Sequence, residues 1–374
     1  MSSSGCAEEN GRSDGTPFRL PVLSGKPLPL DAQGTSAGQL TDGLLRRISY
    51  LRVSLTDRCN YRCTYCMPED GVDLAPRSDV LSFEEIEAAV ASLMRVGVRR
   101  VRLTGGEPTV RKDLVNLVER LGRLGLDDLA LSTNGERLIE LAAPLKAAGL
   151  HRLNVSVDTL QPERFLSVTR RGDLGRVLAG LEAAQAVGFA HTKVNCVAMR
   201  GFNDDEIGAL CRYCWDRDLI PRFIELMPMS DGLLFYPGTF LPVAELRQIL
   251  TRELGPLLDT ETGEPLPGVG PARYAAVMYR GKRRQVGMIS AVSEPFCDTC
   301  NRVRLSATGQ LHACLAYDDA IDLRGVLRSG FVGDDLVDRL VQVARGGLVD
   351  KRVGHVFSPT GCGGPRKHMV SIGG

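Results

Sequence analysis

Six short β-branched runs, each followed by an amphipathic stretch, constrain this chain more than any other feature. The runs lie at 50–56 (YLRVSLT), 98–104 (VRRVRLT), 128–133, 152–157, 191–199 and 221–227. Helical periodicity fills 82–96, 111–124, 136–148, 173–187 and 203–217, with a further stretch near 242–252. Six βα units in succession predict a parallel sheet with right-handed crossovers. Alternation within the runs predicts more. Successive strand residues point to opposite faces, which puts Arg52, Ser54, Arg100, Arg102, Ser132, Asn154, Ser156, Lys193, Asn195 and Arg222 on one face. The other face carries Leu51, Val53, Val101, Leu103, Leu153, Val155 and Val194. A closed eight-stranded barrel fills its interior with branched apolar side chains, whereas this interior is polar and mostly cationic. The expected fold is therefore α/β, an incomplete (β/α)6 TIM-like barrel whose lumen is a ligand cavity. An open sheet with one wet face is the plain alternative, but βα crossovers normally cover both faces.

The flanks read differently. Residues 1–47 are rich in Ser, Gly and Pro without a sustained period and are expected to form a disordered extension. The barrel core is assigned to 48–260, where PLPGVG breaks the pattern. A C-terminal α+β region, 261–374, holds a hairpin-like stretch at 273–290, a cysteine segment and two short helices. A formal net charge of +1 removes any bulk electrostatic case for nucleic acid or an anionic membrane. No stretch of about 18 apolar residues is long enough to span a bilayer. The start of the chain, MSSSGCAEEN, has no apolar signal region, so its eleven cysteines read as metal ligands or reduced thiols and the cytoplasm is the expected compartment.

Six of those cysteines fall into two triplets. Cys59-x3-Cys63-x2-Cys66 follows the first strand and supplies three thiolates to a four-iron cube, leaving one iron open. A zinc knuckle short of a ligand is the bland reading. At the next strand end stand Gly105, Gly106, Glu107 and Pro108. Paired glycines let backbone approach a ligand closely, and the glutamate or exposed carbonyls can hold an ammonium group. The second triplet, Cys297-x2-Cys300-x13-Cys314, again lacks an obvious fourth ligand, although a structural zinc ribbon has similar spacing. Beside it Arg302 and Arg304 share one strand face, a pairing suited to bidentate phosphate recognition or simply to solvation. Cys211 and Cys214 lie in a helical stretch beside Trp215, Cys196 faces the apolar side of its strand, and Cys6 and Cys362 sit in irregular segments. These five read as ordinary thiols.

Together the first triplet, the Gly-Gly-Glu-Pro turn and NVSVD at the fourth strand resemble the radical S-adenosylmethionine superfamily. The second triplet, the Cys-Asn-Arg-x-Arg-Leu run and the terminal SIGG narrow the resemblance to its GTP 3′,8-cyclase family of molybdenum cofactor biosynthesis, over residues 48–374. The resemblance implies two 4Fe–4S clusters and S-adenosylmethionine as cofactors. It implies S-adenosylmethionine contacts at Tyr65, Gly106, Ser156 and Met227, with the first cluster's open iron binding the methionyl amino and carboxylate groups. It implies GTP contacts at Arg52, Arg102, Lys193, Arg302, Val303 and Arg304, and at Ser132, where the family usually has threonine. Arg100 and Arg222 are further candidates for the triphosphate, and guanine would sit on the second cluster. Gly373 and Gly374, preceded by Ile372, would reach the active site.

The implied reaction is cleavage of S-adenosylmethionine to a 5′-deoxyadenosyl radical, hydrogen abstraction from the ribose 3′ carbon of GTP, and attack on guanine carbon 8. It needs no acid–base residue. The implied product is 3′,8-cyclo-7,8-dihydro-GTP, passed to a separate cyclic pyranopterin monophosphate synthase, and a homodimer follows by analogy. The sequence does not identify the electron donor. The residues agree independently, because five or six converging cations would repel one another without an anion such as a triphosphate of about −4. Two competitors remain at this stage. One is another radical S-adenosylmethionine enzyme with an auxiliary cluster. The other is a two-zinc nucleic-acid-binding module, which would need a basic surface and aromatic stacking residues.

Overall fold

A computed structural model describes residues 38–373, apart from 231–232, 260–269, 352–356, 359 and 361–363. The six expected strands are β1 Tyr50–Ser54, β2 Arg100–Thr104, β3 Asp128–Thr133, β4 Arg152–Ser156, β5 Lys193–Ala198 and β6 Ile220–Glu225. They pair in parallel in chain order. Between them run the helices α1 Phe83–Met94, α2 Leu114–Gly122, α3 Leu138–Ala147, α4 Pro162–Thr169, α5 Leu174–Ala186 and α6 Ile207–Asp216. A further helix, α7 Val243–Leu254, follows β6. Local chemistry sets these boundaries. Ser82 and Glu85 form a capping box at the start of α1, and Ile86, Val90 and Leu93 then fall on its buried face. Leu51, Val53, Val101, Leu103, Leu153, Val155 and Val194 are all at most 1% exposed and face those helices. Each contributes roughly 1.5–3 kcal/mol by burial. The short helix α4 escaped the sequence reading because eight residues give little periodicity to detect.

The C-terminal residues extend the same sheet at both edges. β8 Arg273–Tyr279 and β9 Lys282–Ile289 form the expected hairpin, and β9 adds in parallel to β6, with β7 Leu258–Asp259 beyond β8. At the other edge β10 Arg302–Leu305 adds in parallel to β1, followed by β11 Gln310–His312 and β12 Ile321–Asp322. The order is β12-β11-β10-β1-β2-β3-β4-β5-β6-β9-β8-β7, so the two ends do not pair and the barrel stays open. α8 Leu323–Leu327 and α9 Gly333–Leu348 then cover α1, and α10 Met369–Ile372 ends the described chain. At 16 residues α9 is longer than expected, its Leu340, Val341, Ala344 and Leu348 buried on one face.

Residues 39–47 depart from the disorder expected of them. Leu40 is fully buried, its N–H donates to the Val96 carbonyl at 2.7 Å, and Ile48 donates back to Leu40 at 2.8 Å. Two apolar anchors within reach of α1 suffice to dock the segment. Cys6 and Cys362 lie outside the described residues. Among the described residues no helix is long and apolar enough to cross a membrane.

Candidate active site

At the C-terminal ends of β1 and β2 two backbone segments cross closely. The Gly106 N–H donates to Thr56 O at 2.7 Å and the Glu107 N–H to Arg58 O at 2.8 Å. A Cβ on Gly105 would lie 2.6 Å from Thr56 O, and one on Gly106 2.3 Å from Arg58 O. The paired glycines thus let β2 press against the segment leading into the first cysteine. The Glu107 carboxylate, 1% exposed, accepts from the Thr109 N–H and hydroxyl, the Thr133 hydroxyl and the Asn134 N–H. Three of these bonds fall on Oε1 and one on Oε2, so the carboxylate ties β2 to the end of β3.

Cys59, Cys63 and Cys66 are free thiols that line one cavity at this mouth. Burial, reinforced by Glu107, raises the Cys59 thiol to about 11. Burial, Cys59 and Asp158 raise Cys66 to about 12, and Cys63 is pushed up by burial, Cys66 and Asp158. Tyr65, inside the loop, donates its hydroxyl to Asp158 Oδ2 at 2.7 Å, while the Val197 N–H reaches Oδ1 at 2.8 Å. Asp158 was missed from sequence. It is 4% exposed, and burial raises its carboxyl to about 6 against these two donors. Among the described residues no three metal-ligating side chains are drawn together as for a single ion. The three thiols line one cavity and act on one another electrostatically, so they could hold a single cluster jointly.

Deeper in the lumen the cations gather as the alternation predicts. Arg304, Arg52 and Arg102 occupy one register position on three neighbouring strands, with strands about 4.8 Å apart. Burial, then Arg304 and Arg102, push Arg52 well below its ordinary value, and burial with Arg302 brings Arg304 to about 10. Arg102 leaves its buried Nε without a hydrogen-bond partner among the described residues. Arg222 is better provided for. Its Nε and Nη2 donate to Asn195 Oδ1 at 2.9 and 2.6 Å, and Nη2 also reaches Asn154 Oδ1 at 2.7 Å. Burial, then Arg222, Arg152 and Arg102, lowers Lys193 to about 6. Like charges crowded into one lumen destabilise one another, and a polyanion would relieve them.

The second triplet lies across the lumen, flanked by residues of the same cavity, although Cys297, Cys300 and Cys314 do not themselves line it. Arg302 packs over the Phe296 ring at 4.9 Å and points Nη2 toward Cys300 Sγ at 4.0 Å. Burial would raise Cys300, but Arg302 and Lys351 outweigh it and bring the thiol down to about 7. The tail enters between the two triplets. Arg366 and Lys367 donate backbone N–H groups to Asp318, and His368 Nδ1 meets Ser230 Oγ at 2.6 Å. Gly373, at φ +74°, offers its carbonyl to Arg304 Nη1 at 2.8 Å, and a Cβ there would lie 2.4 Å from Thr104 Cγ2. Gly374 lies outside the described residues.

One cavity therefore gathers Tyr65, Gly106, Ser156 and Met227 with Arg52, Arg102, Ser132, Arg222, Arg302 and Arg304. Lys193 and Arg100 stand at the starts of β5 and β2, below that mouth, and do not line it. Val303 is 1% exposed and packs in the outer core, so its side chain is turned away from the cavity. Cys196, Cys211 and Cys214 are core thiols, at most 2% exposed.

Residues 53–222 match the Radical SAM superfamily and residues 220–354 match Molybdenum Cofactor Synthesis C. A GTP 3′,8-cyclase from Ectopseudomonas mendocina is 48% identical over 294 residues, covering 78% of this chain and 86% of the relative. One from Heliobacterium modesticaldum is 44% identical over 336 residues, covering 90% of this chain and 100% of the relative. A third, from Pelotomaculum thermopropionicum, is 45% identical over 294 residues, or 78% of this chain and 88% of the relative.

Proposed function

This chain belongs to the GTP 3′,8-cyclase family, as a radical S-adenosylmethionine enzyme of molybdenum cofactor biosynthesis, and we propose that its lumen divides the reaction between two cysteine-bound clusters. The first 4Fe–4S cluster, with S-adenosylmethionine, supplies one-electron hydrogen-abstracting chemistry when bound. Cys59, Cys63 and Cys66 would hold that cluster, and Tyr65, Gly106, Ser156 and Met227 would orient S-adenosylmethionine against it. Cys297, Cys300 and Cys314 would hold a second 4Fe–4S cluster, which would offer a binding position to the guanine. Arg52, Arg102, Arg302 and Arg304, with Ser132, Lys193 and the Val303 backbone, would bind the rest of GTP. Arg222 and Arg100 would add charge toward the triphosphate. On this reading residues 48–260 generate the radical and share the binding of GTP with 261–374, which hold the second cluster.

The observation that carries the reading is the shared cavity. Its lining runs from Cys59, Cys63 and Cys66 to Arg52, Arg102, Arg302 and Arg304. That span matches two ligands meeting in the middle, one anchored by its methionyl group and one by its phosphates. The protein's work is to bind, orient and exclude water rather than to move protons. The product, an isomer of GTP, would pass to a separate cyclic pyranopterin monophosphate synthase, and the family analogy favours a homodimer. Anaerobic protein given GTP, S-adenosylmethionine and a one-electron reductant should yield that isomer with equal methionine and 5′-deoxyadenosine. Cleavage of S-adenosylmethionine with GTP left unchanged would overturn the reading.

A further inference from the structure

Lys351 follows α9, carries no motif and is 5% exposed. Its Nζ lies 3.7 Å from Cys300 Sγ and donates to Arg302 O at 2.6 Å. Both partners belong to the strand entry that bears the second triplet. Residues 348–351 are themselves tied down, since the Lys351 N–H donates to Leu348 O at 3.1 Å and the Gly43 N–H donates to the same carbonyl at 3.4 Å. From that N-terminal segment Arg46 reaches the Cys297 carbonyl, braced by Asp42, which is 3% exposed. Three chain segments more than 40 residues apart thus converge behind one ligand loop. A buried ammonium is costly unless it faces an anion. Among the described residues no carboxylate hydrogen-bonds to Lys351, and Asp42 acts on it less strongly than Cys300 does. A metal-bound thiolate at Cys300 would supply the negative charge in direct contact.

We propose that Lys351 is a positioning residue for the second cluster, donating N–H to the Cys300 thiolate and raising the cluster's reduction potential. Hydrogen bonds and positive charge at cluster sulfurs draw electron density from the irons and stabilise the reduced state. The same withdrawal makes the open iron a stronger acceptor for a guanine donor atom. Lys351 therefore acts on substrate through Cys300 without touching it. The proposal rests on the reading of the second triplet as a cluster site.

The test uses the full-length chain with Cys59, Cys63 and Cys66 replaced by alanine, so that only the second cluster is seen. Iron analysis and an EPR-monitored redox titration compare Lys351 with Lys351→Met, Lys351→Gln and Lys351→Arg. Lys351→Met should lower the midpoint by about 59 mV, a tenfold shift in a one-electron couple. Lys351→Gln, which keeps an N–H donor without charge, should fall between, and Lys351→Arg should restore most of the shift. GTP affinity should weaken in the same order. Equal midpoints in Lys351, Lys351→Gln and Lys351→Met proteins with full iron would overturn the proposal. Should Lys351→Met fail to hold iron, the Lys351→Gln comparison decides alone. If the second triplet binds no iron with Lys351 present, the cluster reading beneath the proposal fails instead.

Discussion

Glu107 acts on Cys59 and Asp158 on Cys63 and Cys66, whereas Arg302 and Lys351 set positive charge beside Cys300. Burial pushes all four thiols up. Neighbouring charge then separates them, with Cys59 and Cys66 raised to about 11 and 12 and Cys300 lowered to about 7. The first triplet and Cys300 thus sit in opposite fields. A cluster in an anionic setting is electron-rich and suited to giving up an electron, while one in a cationic setting is suited to accepting a ligand's lone pair. The contrast follows from the sequence around each triplet. Gly-Gly-Glu-Pro and NVSVD bring acids to the first, and Asn-Arg-Val-Arg brings bases to the second.

The largest effect should come from breaking either triplet alone. Cys59→Ala should abolish formation of 5′-deoxyadenosine. Cys300→Ala should keep that cleavage, uncoupled from GTP, while no cyclised product appears by mass spectrometry. Next in size, Arg304→Ala should weaken GTP binding about 10- to 100-fold, the equivalent of a charged hydrogen bond worth roughly 1.5–3 kcal/mol. S-adenosylmethionine affinity, measured in parallel, should not change. An equal loss of both ligands would mean that the two halves are not separable.

Smaller still, Gly373→Ala should cut turnover roughly tenfold. An alanine at φ +74° is strained and its Cβ meets Thr104, a cost on the order of 1–3 kcal/mol. Steady-state kinetics should show the loss in kcat rather than in the KM for GTP.

The smallest effect is a proton. Below the cavity mouth Lys193 is lowered to about 6, so above that pH its amine is mostly neutral. A triphosphate reaching it as proposed would favour the ammonium and raise the value. GTP binding therefore takes up a proton from pH 6 upward, and affinity falls with rising pH by up to about tenfold per unit. Calorimetry at pH 8 in buffers of different ionisation enthalpy should record uptake of up to one proton, which Lys193→Met should remove.

Much of this was legible before any coordinates. Alternation in VRRVRLT and YLRVSLT already set Arg52 and Arg102 on the lumen face, because strand period fixes facing regardless of partner. What a strand cannot reveal is its neighbour. Nothing in RVRL says that β10 pairs with β1 and brings Arg304 level with Arg52, since that register is a contact between residues some 250 apart. Lys351 escaped for the same reason, lying 51 residues from the Cys300 sulfur it meets. Asp158 stands in NVSVD, but nothing in that run says that Tyr65 donates to it. Residues 39–47 were misjudged because Ser and Gly upstream masked the spacing of Leu40 and Ile48.

The division of the lumen is the central claim, and paired ligand binding tests it most directly. S-adenosylmethionine and GTP would be titrated anaerobically into two full-length variants, one with Cys59, Cys63 and Cys66 changed to alanine and one with Cys297, Cys300 and Cys314 changed. The first should bind GTP within about threefold of the unaltered enzyme, well under the tenfold that about 1.4 kcal/mol represents, and should lose S-adenosylmethionine. The second should do the reverse. Loss of both ligands from either variant, with its remaining cluster intact, would contradict the account.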